Sequence, residues 1–352
     1  MATPTELPAF LQQSKSGSKF VDLEWQQRNR LASGLQPSQK ENPYVRLTGD
    51  EIIARNRYLN VEPYANNRVK LQVAEGLNDY INASPIVLGE RRYIATQGPK
   101  DTSTSHFYRM LAAECASPAV IVMLTQTHEA GREKCFQYFP FDTSAPLRLS
   151  PDPDIDDGFE GEIVLESIEE DPTSRSTVRK MRLRTRMTEE GKEGVWQEKE
   201  VYHLLFSGWP DFLIPEGEDR IALTELIHLS GRLNSSPSAP TESSFKMYPY
   251  KHIPSVPSDA VVAKTSSNPR VVHCSAGVGR SGTFIAMDYL LALLDAGILD
   301  NVPVETDVIA ETVDELRKQR MMMVQGEGQF MFLYEALRDA WLARWSARNG
   351  GS

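Results

Sequence analysis

A single cysteine, Cys274, lies where a short apolar run meets a glycine-rich segment, in the string VVHCSAGVGRSG of residues 271–282. Glycines in such a segment allow successive amide N–H groups to point into one concavity, which suits an anion of phosphate size. Arg280 adds a planar cation that can bind two oxygens of one phosphate. Because a helix is expected from Thr283 onward, the positive end of its dipole also favours a thiolate at Cys274.

Two other interpretations of this cysteine fit its surroundings less well. Free cysteines are most often buried structural residues, but three glycines, an arginine and a hydroxyl beside this one favour an anion site. A cysteine-protease pair is disfavoured because His273 directly precedes Cys274, and neighbouring side chains of a strand point to opposite faces. The sequence therefore predicts a thiolate nucleophile directed at a bound phosphate.

The same residues resemble the signature loop of the cysteine-dependent protein tyrosine phosphatases, which has a histidine, a cysteine, five residues, an arginine and a serine or threonine. The resemblance implies that Cys274 is the nucleophile, that Arg280 binds the phosphate and that Ser281 helps the sulfur to leave. It places His273 among the supporting residues, and a capping serine is the plain alternative for Ser281. The other loop residues implied to bind the substrate are Ser275, Ala276, Gly277, Val278 and Gly279.

A second motif, Trp209-Pro210-Asp211-Phe212, is similar to the mobile acid loop of this family. One carboxyl can protonate the leaving phenolate and later deprotonate the water that hydrolyses the thiophosphate. The resemblance gives this role to Asp211, with Trp209 as the anchor of the loop and Phe212 beside the substrate. A simple turn is the alternative, because Pro-Asp is common turn chemistry.

Tyr58 and Asn60 match a family loop that lines the pocket wall and holds the substrate peptide, where the family usually has an aspartate at the second position. A deep pocket walled by Tyr58 implies selectivity for phosphotyrosine over the shorter phosphoserine. Gln325 matches the glutamine that positions the hydrolytic water, and Gln329 matches its secondary partner. A packing tyrosine and capping glutamines are the plain alternatives.

Charged residues upstream complete the resemblance, which runs from about Asn42 to Leu342. It implies that Glu129 pairs with Arg280 and orients its guanidinium, and that Lys134 approaches the acid loop when that loop closes. Without the family, the same residues read as a solvated charged loop.

Composition limits the remaining possibilities. The chain has 352 residues, of which 40% are apolar and 24% charged, and its formal net charge of −10 argues against a nucleic-acid partner. Its three cysteines and six histidines show no ligand spacing, so neither a metal nor another cofactor is expected. The start of the chain lacks a secretion signal and no apolar stretch is long enough for a membrane span, which predicts a cytoplasmic or nucleocytoplasmic enzyme.

The patterning predicts an α/β (α+β) fold with a highly twisted mixed sheet, helices on both faces, and the phosphate-binding loop between a central strand and a helix. Strands are predicted at 120–124, 162–168, 177–187 and 200–206, and helices at 104–114, 218–233, 283–296, 306–319 and 329–347. One face of the strand at 177–187 is basic, and a solvated face opposite Glu162 and Glu166 is favoured over binding of acidic substrate segments.

We expect a partly helical N-terminal extension over residues 1–40, one catalytic domain over 41–347 and a tail at 348–352. The helical part of the extension is predicted at 21–31. The Ser- and Pro-rich segment 233–268 is expected to be a disordered insertion within the catalytic domain.

These observations predict a protein tyrosine phosphatase that hydrolyses phosphotyrosine in proteins, signalling kinases among them, through a phosphocysteine intermediate. Vanadate and other phosphate-like oxyanions are the expected inhibitors, and a low-pKa thiolate at Cys274 is expected to be sensitive to peroxide. The alternatives are a phosphotyrosine-binding module with impaired catalysis and a phosphatase of broader specificity.

Overall fold

The computed structural model describes residues 7–12, 16–36, 42–150, 152, 154–188, 194–209, 213–234, 253–257 and 266–349. Its helices are α1 (Ala9–Gln12), α2 (Ser16–Gly34), α3 (Asp50–Arg55), α4 (Thr104–Glu114), α5 (Glu218–Leu233), α6 (Gly279–Asp295), α7 (Val308–Gln319) and α8 (Glu327–Asn349). Its strands are β1 (Ala83–Leu88), β2 (Arg91–Thr96), β3 (Ala119–Met123), β4 (His128–Glu129), β5 (Arg132–Glu133), β6 (Leu147–Arg148), β7 (Phe159–Asp171), β8 (Ser176–Met187), β9 (Gln197–Phe206) and β10 (Arg270–His273).

One mixed sheet contains eight of these strands, in the order β1-β2-β10-β3-β9-β8-β7-β6. The four central strands β2, β10, β3 and β9 are parallel to one another. The pairs on either side of them are antiparallel. Parallel strands are covered on both faces and therefore consist of continuous apolar runs, as β3 does. The strands β4 and β5 form a separate hairpin.

Alternating residues of the central strands enter two hydrophobic cores, one on each face of the sheet. Val272 of β10 packs in the same core as Phe284 of α6 and Leu337 of α8. Val271 lies in the opposite core with Phe107 of α4. The predicted fold, a mixed sheet with helices on both faces, is confirmed.

The predicted helices and strands are present. Helices α4 and α5 have the predicted bounds, and the other elements have shifted ends. Helix α6 begins at Gly279 and not at Thr283, because the amide of Gly282 already donates to the carbonyl oxygen of Val278 at 3.0 Å. Arg280 therefore lies in the first turn of the helix. The sequence patterns do not predict β1 and β2. Pro85 within β1 obscures the strand, and it is tolerated because β1 is at the edge of the sheet.

Both segments that the sequence predicts as additions to the catalytic domain have described residues in contact with its core. Helix α2 is longer than predicted and packs against α7 and α8. Inside the predicted insertion, Ile253 and Val256 are buried in the core, and Ser255 donates two hydrogen bonds to the carboxylate of Glu311. Residues 253–257, for which disorder was expected, therefore pack against the domain, because Ile253 and Val256 are apolar and enter its core. Residues 235–252 and 258–265 lie outside the described residues.

Acidic residues of the neighbouring strands cover the basic face of β8. Arg184 pairs with Glu162, Arg182 pairs with Glu166, and Lys180 Nζ lies 2.8 Å from a carboxylate oxygen of Glu200 on β9. The basic residues of β8 are thus paired within the sheet, which agrees with the solvated face that the sequence favours over a binding surface for acidic substrate segments. Exposed pairs of this kind contribute about 0–1 kcal/mol each.

A buried ion cluster ties the strand before the cysteine loop to the helix after it. Asp288 of α6 pairs with Arg270 at the start of β10 and with Arg91 of β2, and Tyr93 donates its hydroxyl to the same carboxylate. Burial opposes ionisation of Asp288, but the two guanidinium groups hold its pKa below the usual range. The cluster therefore fixes both ends of the loop. Among the described residues, no helix combines the length and apolar character that crossing a membrane requires.

Candidate active site

Cys274 directly follows β10 and lies in a cleft of about 450 Å³, with 5% of its surface exposed. The cleft brings together residues that are far apart in the sequence. The predicted site residues that line it with Cys274 are Tyr58, Asn60, Glu129, Lys134, Ser275, Ala276, Gly279, Arg280, Gln325 and Gln329. Val278 does not line it, because its side chain is buried in the core.

Two glycines shape the loop around the sulfur in different ways. Gly277 has a φ of 71°, and a side chain there would meet the carbonyl oxygen of Thr96 at 2.1 Å. Its amide points at Cys274 Sγ, 3.3 Å away. Gly282 has no such φ, but a Cβ atom at this position would lie 2.4 Å from the amide nitrogen of Val324. Gly282 therefore allows the segment before Gln325 to approach the loop closely.

Several groups next to the sulfur favour the thiolate. Burial alone raises the pKa of Cys274, but the Ser281 hydroxyl and amide, the Arg280 guanidinium and the Gly277 amide together bring it below the ordinary value. The Ser281 hydroxyl is buried and has no other hydrogen-bond partner among the described residues. A charged sulfur is the form that attacks phosphorus.

Arg280 is held by a carboxylate in a two-pronged geometry. Its Nη1 and Nη2 donate to the two carboxylate oxygens of Glu129 at 2.6 and 2.9 Å, and Nη1 also donates to the carbonyl oxygen of Leu124 at 3.0 Å. Thr125 Oγ1 and the amide of Gln126 donate to Glu129 in turn. Burial raises the pKa of Glu129, but these donors lower it below the usual value, so the carboxylate stays charged.

The ring of His273 is hydrogen-bonded to the backbone carbonyl oxygen of Cys274. Because a carbonyl can only accept, the contact of 3.1 Å between His273 Nδ1 and the Cys274 oxygen makes Nδ1 the donor. Nε2 then accepts from the Tyr138 hydroxyl at 2.6 Å, and that hydroxyl accepts from His203 Nε2 at 3.0 Å. Burial lowers the pKa of His273 to about 4, so the ring is neutral at pH 7.

Tyr58 forms one wall of the cleft and is fixed at its hydroxyl. This hydroxyl lies 2.8 Å from Ser275 Oγ, which donates to the carbonyl oxygen of Lys134 at 2.8 Å. Ser275 Oγ thus accepts from Tyr58. The contacts join the wall, the cysteine loop and the segment of Lys134.

Gln325 and Gln329 lie over the first turn of α6. A Cβ atom at Gly279 would meet the side-chain amide of Gln329 at 3.0 Å and that of Gln325 at 3.3 Å. The amide of Val324 donates to the carbonyl oxygen of Val278 at 3.1 Å, which joins this segment to the cysteine loop. Both glutamines therefore line the cleft next to the cysteine loop.

Trp209, the predicted anchor of the acid loop, has 4% of its surface exposed, and its Nε1 donates to the carbonyl oxygen of Leu213 at 3.1 Å. Asp211 and Phe212 lie outside the described residues. Their roles stay predictions from the sequence.

The family model described as protein-tyrosine phosphatase matches residues 53–339. The chain belongs to the protein-tyrosine phosphatase family. Tyrosine-protein phosphatase 2 of Schizosaccharomyces pombe is 32% identical over 337 residues, which is 95% of this chain and 40% of that protein. Tyrosine-protein phosphatase 1 of Saccharomyces cerevisiae is 33% identical over 313 residues, 81% of this chain and 82% of that protein.

A solved structure shows the same fold in this family. The catalytic domain of human protein tyrosine phosphatase non-receptor type 18 has a TM-score of 0.65 at 25% identity, and the match covers 95% of this chain and 99% of that one. The predicted family is thus confirmed. The chain spans less than half the length of its fission yeast relative.

One residue of this phosphatase-family site is missed by the sequence analysis. Arg320 is fully buried, and it donates to the carbonyl oxygens of Gly277 at 2.9 Å and Ala276 at 3.1 Å. The Ala276 carbonyl and the Gly277 N–H belong to one peptide unit, in which they point in opposite directions. The bond from Arg320 to Ala276 therefore directs the Gly277 amide toward the sulfur. Burial lowers the pKa of Arg320 to about 10, so it stays charged. A lone arginine after a helix normally predicts a surface residue.

A second cavity among the described residues, with a volume of about 770 Å³, is larger than the cleft of Cys274. Its walls include Arg55 and His106, which both pair with Asp152. None of the three cysteines is among the residues that line this cavity.

Proposed function

We propose that this protein hydrolyses phosphotyrosine in proteins through a phosphocysteine intermediate. The observation that supports the proposal most strongly is the position of Cys274 in the cleft. Its pKa is lowered, and its neighbour Arg280 is oriented by both oxygens of one carboxylate. A thiolate next to an oriented guanidinium suits attack on a phosphate monoester.

In the first step, Cys274 Sγ forms a bond to phosphorus while the bond from phosphorus to the tyrosine oxygen breaks. Asp211 gives its proton to that oxygen, so tyrosine leaves as the neutral phenol. Arg280 and the loop amides bind the three nonbridging oxygens, whose charge is redistributed in the transition state.

In the second step, a water oxygen forms a bond to phosphorus and the sulfur–phosphorus bond breaks. Asp211, now a carboxylate, accepts a proton from the water, and Gln325 orients that water. The Ser281 hydroxyl stabilises the departing thiolate. The products are inorganic phosphate and the free enzyme with its charged sulfur.

Selectivity for phosphotyrosine is the part of the proposal that depends on Tyr58. Its ring stands at the cleft wall, where it can stack on the substrate phenyl ring. A related structure, PTPN18 bound to HER2 phosphopeptides, supports a peptide substrate for this chain. We propose phosphotyrosine-containing proteins, signalling kinases among them, as the substrate class.

The test compares wild type, Cys274→Ser and Cys115→Ser on a phosphotyrosine peptide, its phosphoserine counterpart and a chromogenic aryl phosphate. We expect turnover of the first and third substrates, inhibition by vanadate, and loss of turnover only in Cys274→Ser. Cys115 is a matched control, because it is buried in the opposite core. Binding without turnover by wild type would instead show a binding module. Equal rates on both peptides would show a broader phosphatase.

A further inference from the structure

Helix α2 precedes the residues matched by the family model, yet it is packed against the segment that carries Gln325. Residue Gln27 of this helix is 4% exposed. Its Oε1 accepts from the amide of Met322 at 3.2 Å, and its Nε2 donates to the Tyr64 hydroxyl at 3.0 Å. The amide bonded by Gln27 is three residues from Gln325.

A second contact reaches the same segment through a buried arginine. Arg317 donates to the carbonyl oxygens of Met323 at 3.0 Å and Val324 at 2.9 Å. Its side chain has no exposed surface, and its Nη1 lies 2.8 Å from Glu24 Oε1 on α2. Phe20, also on α2, packs its ring against the guanidinium at 5.3 Å. Helix α2 therefore supplies the counter-charge and the packing surface for Arg317.

The backbone of this segment requires such support. Met322 has a φ of 60° and Val324 a φ of 57°, in the left-handed region that non-glycine residues rarely adopt. The conformation is especially unfavourable for the β-branched Val324. Strained segments persist when surrounding contacts determine their conformation, and α2 makes part of those contacts here.

We infer that helix α2 is a positioning element for Gln325, acting through Gln27 on the Met322 amide and through Glu24 on Arg317. The inference rests on the proposed function, in which Gln325 orients the water of the second step. Gln27 and Glu24 do not line the cleft. Their loss should therefore slow hydrolysis of phosphocysteine and leave its formation unchanged.

The first experiment compares Gln27→Ala with Gln26→Ala in the full chain. Gln26 is the neighbouring residue of the same helix, but it is exposed and contacts Arg30 of its own helix. Stopped-flow kinetics with a chromogenic aryl phosphate give one rate constant for the phenolate burst and one for steady-state turnover. Acid-quenched samples give the phosphocysteine fraction by mass spectrometry.

For Gln27→Ala we expect an unchanged rate constant for the burst and more phosphocysteine at steady state. The rate constant for hydrolysis should fall about three- to tenfold, which corresponds to the loss of one hydrogen bond. Gln26→Ala should match wild type. Equal hydrolysis constants in Gln27→Ala and wild type would contradict the inference. A parallel fall of both constants would also contradict it, because general destabilisation has that signature.

A second pair of variants keeps the test valid if the buried Gln27→Ala chain does not fold. Glu24→Gln removes the counter-charge of Arg317, and the side chain of Glu24 is 42% exposed, so the substitution leaves the core packing in place. Asp22→Asn, at an exposed residue of the same helix, is the matched control. Only Glu24→Gln should slow the second step. A hydrolysis constant equal to wild type in this variant would overturn the inference.

Gln325→Ala in the same assay distinguishes a failure of the inference from a failure of the proposed function. It should lower the hydrolysis constant at least as far as Gln27→Ala does. If Gln325→Ala hydrolyses its intermediate like wild type, the inference fails while the phosphatase activity stands. If wild type itself releases no phenol, the proposed function and the inference fail together.

Discussion

The carboxylate that orients Arg280 offers the sharpest test of the site by mutation. Glu129→Gln keeps the shape of the side chain but replaces one of its two acceptor oxygens by a donor amide. Of the bonds at 2.6 and 2.9 Å to Arg280, one is then lost. In the proposed mechanism the guanidinium still reaches the phosphate, but it is then held by one oxygen of residue 129 and by the carbonyl oxygen of Leu124.

A hydrogen bond to a charged group contributes about 1.5–3 kcal/mol. At 1.36 kcal/mol for each factor of ten, the loss corresponds to about a tenfold to 150-fold fall in kcat/KM. In the proposed mechanism Arg280 contacts the phosphate in the ground state and in the transition state. We therefore expect KM to rise and kcat to fall.

The assay measures kcat and KM on an aryl phosphate, together with the urea midpoint of each variant. The matched control is Asp157→Asn, because Asp157 holds Arg109 by two bonds at 2.7 and 2.6 Å and does not line the cleft. It should lose stability and keep its kcat/KM. A Glu129→Gln enzyme with wild-type kinetics, or equal kinetic losses in both variants, would refute the reasoning.

Three further substitutions test other parts of the account. Asp211→Ala should lower kcat by about a hundredfold to ten-thousandfold while a phosphotyrosine peptide still binds, and unchanged turnover would remove the residue from the acid role. Asp288→Asn leaves Arg91 and Arg270 without their buried counter-charge, so urea unfolding should show a loss of about 3–5 kcal/mol, and a loss below 1 kcal/mol would contradict the cluster's role. Tyr58→Ala should lower kcat/KM for a phosphotyrosine peptide more than for a phosphoserine peptide, whereas equal losses would show that the wall sets no selectivity.

The sequence predicted the parts of the site that short motifs encode. Cys274, Arg280 and the loop glycines lie within nine residues, so local backbone chemistry brings them together without knowledge of the fold. Glu129, Tyr58 and Gln325 followed from the family resemblance, and the structure places all of them at one cleft.

What the sequence could not predict depends on contacts between distant segments. Arg317 and Arg320 look like surface residues at the end of α7. Arg317 is buried by helix α2 and by the carbonyl oxygens of Met323 and Val324, whereas Arg320 is buried against the cysteine loop. Helix α2 has a weak amphipathic pattern with exposed apolar residues, and nothing in it indicates a contact with the segment of Gln325. The order of strands around β10 is likewise set by pairing that periodicity does not encode.

Cys274 must carry negative charge at neutral pH if it is the nucleophile. The direct measurement is the rate of alkylation by iodoacetamide against pH, with the modified residue assigned by mass spectrometry. Burial raises the pKa of Cys115 to about 12 and also raises that of Cys135, so neither should react near neutrality. We predict a midpoint for Cys274 clearly below the value of about 8.5 for free cysteine, with vanadate slowing the reaction. A midpoint at or above that value would contradict the account.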